Sequence, residues 1–453
     1  MQTPRSAPMD RVSLAISKGW VQAVALVFVF GFLMMGILAY RTYSDGMPQP
    51  QQVVTTDGTV LFTSEDITNG QQIFLRRGLQ QYGSILGHGG YLGPDYTAEY
   101  LRLSSEHIAD QLRAAGVNDP STALIEMMRT NRLDEASGTL VFTPEQAAAF
   151  EHLTGHYADF FGEDSTKYGL IPKVITDPEE IHDLVAFFAW TAWASAAERP
   201  GHSYSYTNNW PSEARVGNTP TADILVWSAM SLTALLVGLG ALFALYGRWS
   251  RRIGWQSSEA PSLKFLQPGD VAITPSQRVT AWFFLVVALL FGIQATLGAA
   301  IEHYRADLSS FFGFDLARVL PFNLARTWHV QLSLFWTAAS FLAAGIFLAP
   351  IISGREPKKQ SWLATALLGA LFVVVAGTLT GTAISTFGPE WAKGSPFFDQ
   401  QWEYLDLPRV WQILLVVGLF LWIAIIFRAI RSRLRTESKV NMPWLFFYSG
   451  LAI

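Results

Sequence analysis

The sequence predicts a mostly α protein, a polytopic membrane helix bundle that carries one polar domain outside the bilayer. Three observations lead there. Half of the 453 residues are hydrophobic and only 15% are charged, whereas soluble domains carry roughly a quarter charged residues. Six apolar stretches without a Lys, Arg, Asp or Glu come close to or exceed the roughly 20 residues that cross a hydrocarbon core as a helix. Between the first and second of them lies one long polar stretch, 41–221, rich in Gly, Pro and other turn-forming residues.

The elements follow in order. Residues 1–19 form a short tail, and Trp20–Tyr40 reads as a retained span: it is longer than the apolar part of a signal peptide and lacks a small-x-small cleavage site. Residues 41–221 open with a strand-like segment, Val53–Phe62, broken by the turn signal Asp57-Gly58. Helical patterns follow at Glu99–Ala115, Thr122–Arg132, Pro144–Phe161 and Pro178–Ala197, the last with Asp177 as N-cap and Pro178 in the first turn. About 180 residues suffice for a domain with its own core. Residues 222–453 then hold five further spans: Leu225–Gly247, Val279–Ile301, Thr327–Ile352, Trp362–Phe387 and Val410–Phe427. A last apolar segment runs from Pro443 to Ile453, half a bilayer at about 1.5 Å per residue. It reads as the start of a further span, hence a truncated polypeptide with a poorly ordered end.

Charge sets the expected orientation. The short loops on one side (1–19, 248–278, 353–361, 428–440) hold 16 Lys or Arg, and those opposite (302–323, 389–409) hold 4. By the positive-inside rule the N-terminus is cytoplasmic and 41–221 faces the periplasm. A net charge of −4 gives no sign of nucleic-acid binding. The absence of cysteine excludes disulfides, iron–sulfur clusters, thiolate zinc sites and covalent c-type haem. Any metal must use histidine, carboxylate or backbone oxygen.

One imidazole stands out. His329 lies at the head of a long apolar helix, and an ionisable group at membrane depth is costly without a partner. Imidazole is the commonest axial ligand of b-type haem; a histidine satisfied by a carbonyl or water near the polar boundary is the plain alternative. His303 and Asp307 sit four apart, on one face if the helix continues through them. Glu403 and Asp406 form an acidic pair in an outer loop, and a surface pair would look the same. His88, among glycines, reads as part of a tight turn. The aromatic runs Phe187–Trp193 and Tyr204–Trp210 read as packing of the outer domain within itself and against the membrane face.

Several of these segments together carry a resemblance. Val53–Gly58, Gly87–Asp95, Phe188–Trp193, Tyr206–Pro211, His303–Asp307, Arg326–His329 and Glu403–Leu407 resemble the N-terminal part of the quinol-dependent nitric oxide reductases of the haem–copper oxidase superfamily. The resemblance implies a haem–copper oxidase-like bundle with a periplasmic cytochrome c-like domain that lacks haem c, in the bacterial inner membrane. It implies a respiratory enzyme that oxidises quinol and reduces nitric oxide to N2O, with quinol, nitric oxide and the lipid bilayer as partners, and it admits a homodimer. His329 would be one axial ligand of low-spin haem b. His303 and Asp307 would take the protons that a quinol releases with its electrons; Asp307 stands where the family usually has glutamate, one methylene longer. Glu403 would ligate calcium, whose hard oxygen shell suits carboxylates. The high-spin haem b and non-haem iron need several histidines, and residues 330–453 contain none; this stretch cannot build the NO-reducing site. The alternative is a non-catalytic, membrane-anchored quinol-binding or assembly module. A transporter is disfavoured by the lack of an evident inverted repeat.

Overall fold

A computed structural model describes residues 18–44, 46–162, 165–253, 273–307, 310–311, 313–398, 407–436 and 442–452. The chain begins with helix α1 (Lys18–Ser44), whose described side chains from Phe28 to Tyr40 form an exposed apolar rod. The outer domain follows: β1 (Gln52–Thr55), β2 (Val60–Thr63), α2 (Ser64–Arg76), α3 (Leu79–Tyr82), β3 (Ser84–Ile85), β4 (His88–Gly89), α4 (Tyr96–Ala114), α5 (Pro120–Arg129), β5 (Leu133–Asp134), β6 (Thr139–Phe142), α6 (Pro144–Gly162) and α7 (Pro178–Ala196). Local chemistry starts several of these helices. Thr63 and Asp66 form a capping box on α2, and Asp95, Asp119 and Asp177 accept hydrogen bonds from the first-turn amides of α4, α5 and α7.

Helix α7 is the axis of this domain and is buried almost throughout. It touches α2 backbone to backbone, because Gly70 of α2 meets the Asp183 carbonyl where any Cβ would collide. Tyr96 stacks on Phe188 with ring centroids 4.6 Å apart, and Tyr157 packs edge-on to Phe188 at 5.2 Å. The aromatic run at 187–193 therefore serves the domain's own core. The Val53–Phe62 segment is a hairpin, β1 with β2, in a mixed sheet of order β2-β1-β6-β5 where β6 runs parallel to β1. His88 sits in a two-residue hairpin with β3. Its neighbours Gly89 and Gly90 press on the backbone of residues 80–84, where a side chain would clash. That glycine run is a packing device.

The membrane part comprises α8 (Ala222–Ile253), α9 (Pro275–Asp307), the hairpin β7 (Ser310–Phe311) with β8 (Phe314–Asp315), α10 (Phe322–Ser353), α11 (Gln360–Phe387), α12 (Arg409–Leu434) and α13 (Met442–Ala452). Among the described residues five helices, α8 to α12, are long and apolar enough to cross a membrane. Their outward faces carry exposed large apolar side chains such as Phe291, Phe372 and Phe420, which only a lipid surround satisfies. Several buried polar side chains between them reach a backbone carbonyl on a neighbouring helix, as hydrocarbon favours. Gln277 Nε2 donates to Phe347 O at 2.8 Å, Gln360 Nε2 to Ile425 O at 2.8 Å, and Trp422 Nε1 to Leu342 O at 3.1 Å. Contrary to a poorly ordered end, 442–452 is helical and packs on α12, with Phe447 against Phe427 and Trp444 Nε1 donating to Leu434 O.

The outer domain docks on the bundle through the segment 76–82, with Gly169 and Glu180 beside it. Asn323 donates to Arg77 O at 2.8 Å, Ser385 Oγ to Arg76 O at 2.7 Å, and the Arg326 guanidinium to Gln81. The Arg77 guanidinium lies against Gly388, at the end of α11, in space any Cβ there would occupy. Glu180 of α7 closes the junction: it binds Arg77 at 2.8 Å, Arg76 at 2.9 Å and Lys393 at 3.0 Å. Burial disfavours its ionised form, but Arg77, Lys393 and Arg76 outweigh that and hold the carboxyl below its usual range. Removing it strands Arg77, only 7% exposed. Glu180→Ala is therefore expected to cost about 3–5 kcal/mol in chemical unfolding. Because the folded-state pKa is depressed, the contribution is present above the ordinary value of 4.5 and is lost as pH falls through the lower folded value. A Glu180→Gln protein should lack that acid-dependent part of the wild-type unfolding profile.

Candidate functional site

The site is built where α9 and α10 run side by side. His329 lies seven residues into α10 on the face toward α9, half-buried. Its Nδ1 lies 2.9 Å from the backbone carbonyl of Gln294. A carbonyl only accepts, so Nδ1 carries the hydrogen, and the neutral ring leaves its lone pair on Nε2. Gln294 is engaged twice, because its side-chain Oε1 also accepts from Trp336 Nε1 at 2.7 Å, two turns further along α10. One turn beyond Gln294, Gly298 makes room for the ring: a Cβ there would stand 3.1 Å from His329 Cε1. On its other side α10 is tied to α11 by Trp328 Nε1, which donates to Leu379 O at 3.0 Å and Thr382 Oγ1 at 3.1 Å.

This arrangement suits an imidazole that ligates iron. A ligating histidine almost always donates its other ring hydrogen to a carbonyl or carboxylate, which sets the tautomer and raises ligand basicity. His329 has that arrangement, and the glycine beside it is a cradle a side chain would fill. The residues fit a haem held through Nε2.

His303 and Asp307 come together at the outer end of α9, which runs helical through both. His303 Nδ1 lies 4.0 Å from Asp307 Oδ2, with the imidazole 18% and the carboxylate 68% exposed. Nine residues, about 13.5 Å of helix, separate Gln294 from His303. Beside it Tyr304 turns inward, donates to the Leu320 carbonyl and packs edge-on to Phe322 at 5.7 Å. This locks the outer ends of α9 and α10 beneath Gly169 of the outer domain, whose carbonyl accepts from Phe322 N at 2.8 Å. Glu403 and Asp406 lie outside the described residues.

Sequence reasoning did not single out Gln294, Gly298 or Trp336. The signal for Gln294 was available, since an amide inside an otherwise apolar span needs a partner. Gly298 offered none, because small residues are common in membrane helices for packing alone.

Two comparisons bear on the chain. Residues 50–212 match the family of the NorB cytochrome c-like domain of nitric oxide reductase. Residues 278–453 match the family described as cytochrome c and quinol oxidase polypeptide I. No curated protein matches the chain. A helical outer domain of the first kind, joined on one polypeptide to membrane helices of the second, makes this chain a NorB-like large subunit of the haem–copper oxidase family, and with it a multi-pass membrane oxidoreductase of the nitric oxide reductase type.

Proposed function

We propose that this chain supplies the electron-entry half of a quinol-dependent nitric oxide reductase in the bacterial inner membrane, with residues 41–221 on the periplasmic side. The observation that carries the reading is the His329–Gln294 hydrogen bond, which holds the imidazole in the tautomer an iron ligand needs. Haem b bound at Nε2 supplies one-electron transfer. The outer domain has no cysteine for a covalent haem, so a membrane-dissolved quinol is the fitting donor. His303 and Asp307 hold the protons released by its two hydroxyls, and their placement near the outer boundary lets Asp307 pass a proton to water. Two electrons and two protons from one quinol balance the conversion of two NO to N2O and water. Glu403 is proposed as a carboxylate ligand of calcium. No histidine occurs after His329, so the proposed share of this chain is the quinol end and the first haem ligand rather than the iron pair that binds NO.

Optical spectra of the detergent-extracted protein test the central claim. His329→Ala should abolish the reduced b-type haem bands while leaving the protein folded by circular dichroism; unchanged bands would refute it. Gly298→Val should lower haem occupancy by pushing on the same ring. In the Asp307→Asn protein, reduction of the bound haem by quinol is expected to be roughly 100-fold slower, read at the same bands. Haem reduction by an artificial one-electron reductant should hold, a split that a merely destabilised protein would not show.

A further inference from the structure

A second cluster of metal-ligating side chains lies in the outer domain, away from the haem ligand. Asp66 comes from the first turn of α2, and His182 and Asp183 from the first turns of α7. One ligand atom from each lies within 4.8 Å of the others. His182 Nε2 is 3.0 Å from the Leu61 carbonyl and so carries the ring hydrogen, which leaves Nδ1 with the lone pair. That nitrogen lies 3.6 Å from Asp183 Oδ1. Phe150 packs edge-on to the ring at 5.5 Å and 87°, fixing its plane. Asp66 uses Oδ2 on the Thr63 amide at 2.7 Å, so its other oxygen remains for the cluster.

The charges here are balanced differently from those one turn earlier on α7. Glu180 has three cationic partners. Asp183 is only 6% exposed, yet among the described residues neither it nor Asp66 pairs with a lysine or arginine. Its polar neighbours are His182 and the Asn69 side chain, and burial beside Asp66 pushes its carboxyl up to about 6. A cleft of about 250 Å3 lined by Asn69, Gln72, Arg76 and Glu180 reaches Asp183 from solvent. This gives an ion a route in.

We propose that Asp66, His182 and Asp183 form a binding site for a divalent transition metal of the zinc class. One imidazole nitrogen and two carboxylate oxygens are a borderline donor set, and three protein ligands with an open fourth position for water match zinc coordination. Tetrahedral bonds of about 2.0–2.1 Å place donor atoms roughly 3.3 Å apart. The His182–Asp183 separation therefore needs to contract by only a few tenths of an ångström, and Asp66 must move further. The hydrogen bond to Leu61 serves as the outer-shell support that orients a metal-bound imidazole. Bound there, the ion ties the β2–α2 corner to α7, next to the junction that holds the outer domain on the membrane helices.

The test uses the whole detergent-extracted protein, stripped with a chelator and dialysed against zinc or cobalt. Wild type should retain one zinc equivalent more than either His182→Gln or Asp183→Asn. Cobalt should give ligand-field bands that both variants lose, and zinc should raise the thermal midpoint of wild type alone. The isosteric Asp183→Asn removes a buried charge and should fold; His182→Gln gives an independent reading. Equal zinc stoichiometry in wild type and variants overturns the proposal. So does the absence of bound zinc in wild type, which would mark the cluster as an imidazolium–carboxylate pair.

Discussion

Arg77 joins three parts of this molecule that have little else in common. Its guanidinium binds Glu180 of the outer-domain axis, its carbonyl accepts from Asn323 at the head of α10, and its side chain lies on Gly388 at the end of α11. A buried guanidinium is tolerable only when a carboxylate meets it, and a buried carbonyl only when a donor reaches it. These requirements set where the outer domain stands on the bundle. The head of α10, which carries His329 one to two turns further in, is positioned by the same contact.

From that anchor the placement of His329, the proposed haem ligand, follows by close packing. α9 and α10 approach near enough for an imidazole on one helix to meet a backbone carbonyl on the other, because position 298 has no side chain. The carbonyl of Gln294 has two lone pairs, so it serves the helix and His329 together. Trp336 holds the Gln294 side chain, and Trp328 holds the opposite flank of α10 on α11. The ring is thus fixed in place, tautomer and plane by groups that never touch the iron it would bind. Were a haem held there, such preorganisation would matter for electron transfer, since ligand basicity and orientation tune haem potential.

The junction and the outer-domain cluster show two solutions to charge beside α7. At Glu180 the carboxylate is matched by side chains of the same chain, from the outer domain and from the loop after α11. At Asp183, one turn on, the matching partner is an imidazole with a bare nitrogen. The first arrangement is a permanent strut, and the second is suited to an exchangeable cation.

Much of the architecture was written in composition and periodicity. Apolar runs of 18 or more residues have one stable form in lipid, because helices satisfy every backbone group internally. The five spans are therefore legible in the sequence, as are the Asp177 cap and the hairpin turn at Asp57-Gly58; the Asp95 and Asp119 caps were not singled out there. The neighbourhood of His303 and Asp307 was legible from their four-residue spacing, and helix α2 was not, because its polar face resembles the loops around it. What only the tertiary structure decided was which distant groups meet. Glu180 with Arg77, Gln294 with His329, and Asp66 with His182 and Asp183 each join residues far apart or on different elements. Their contacts depend on helix crossing points and glycine-permitted approaches, which no local pattern encodes.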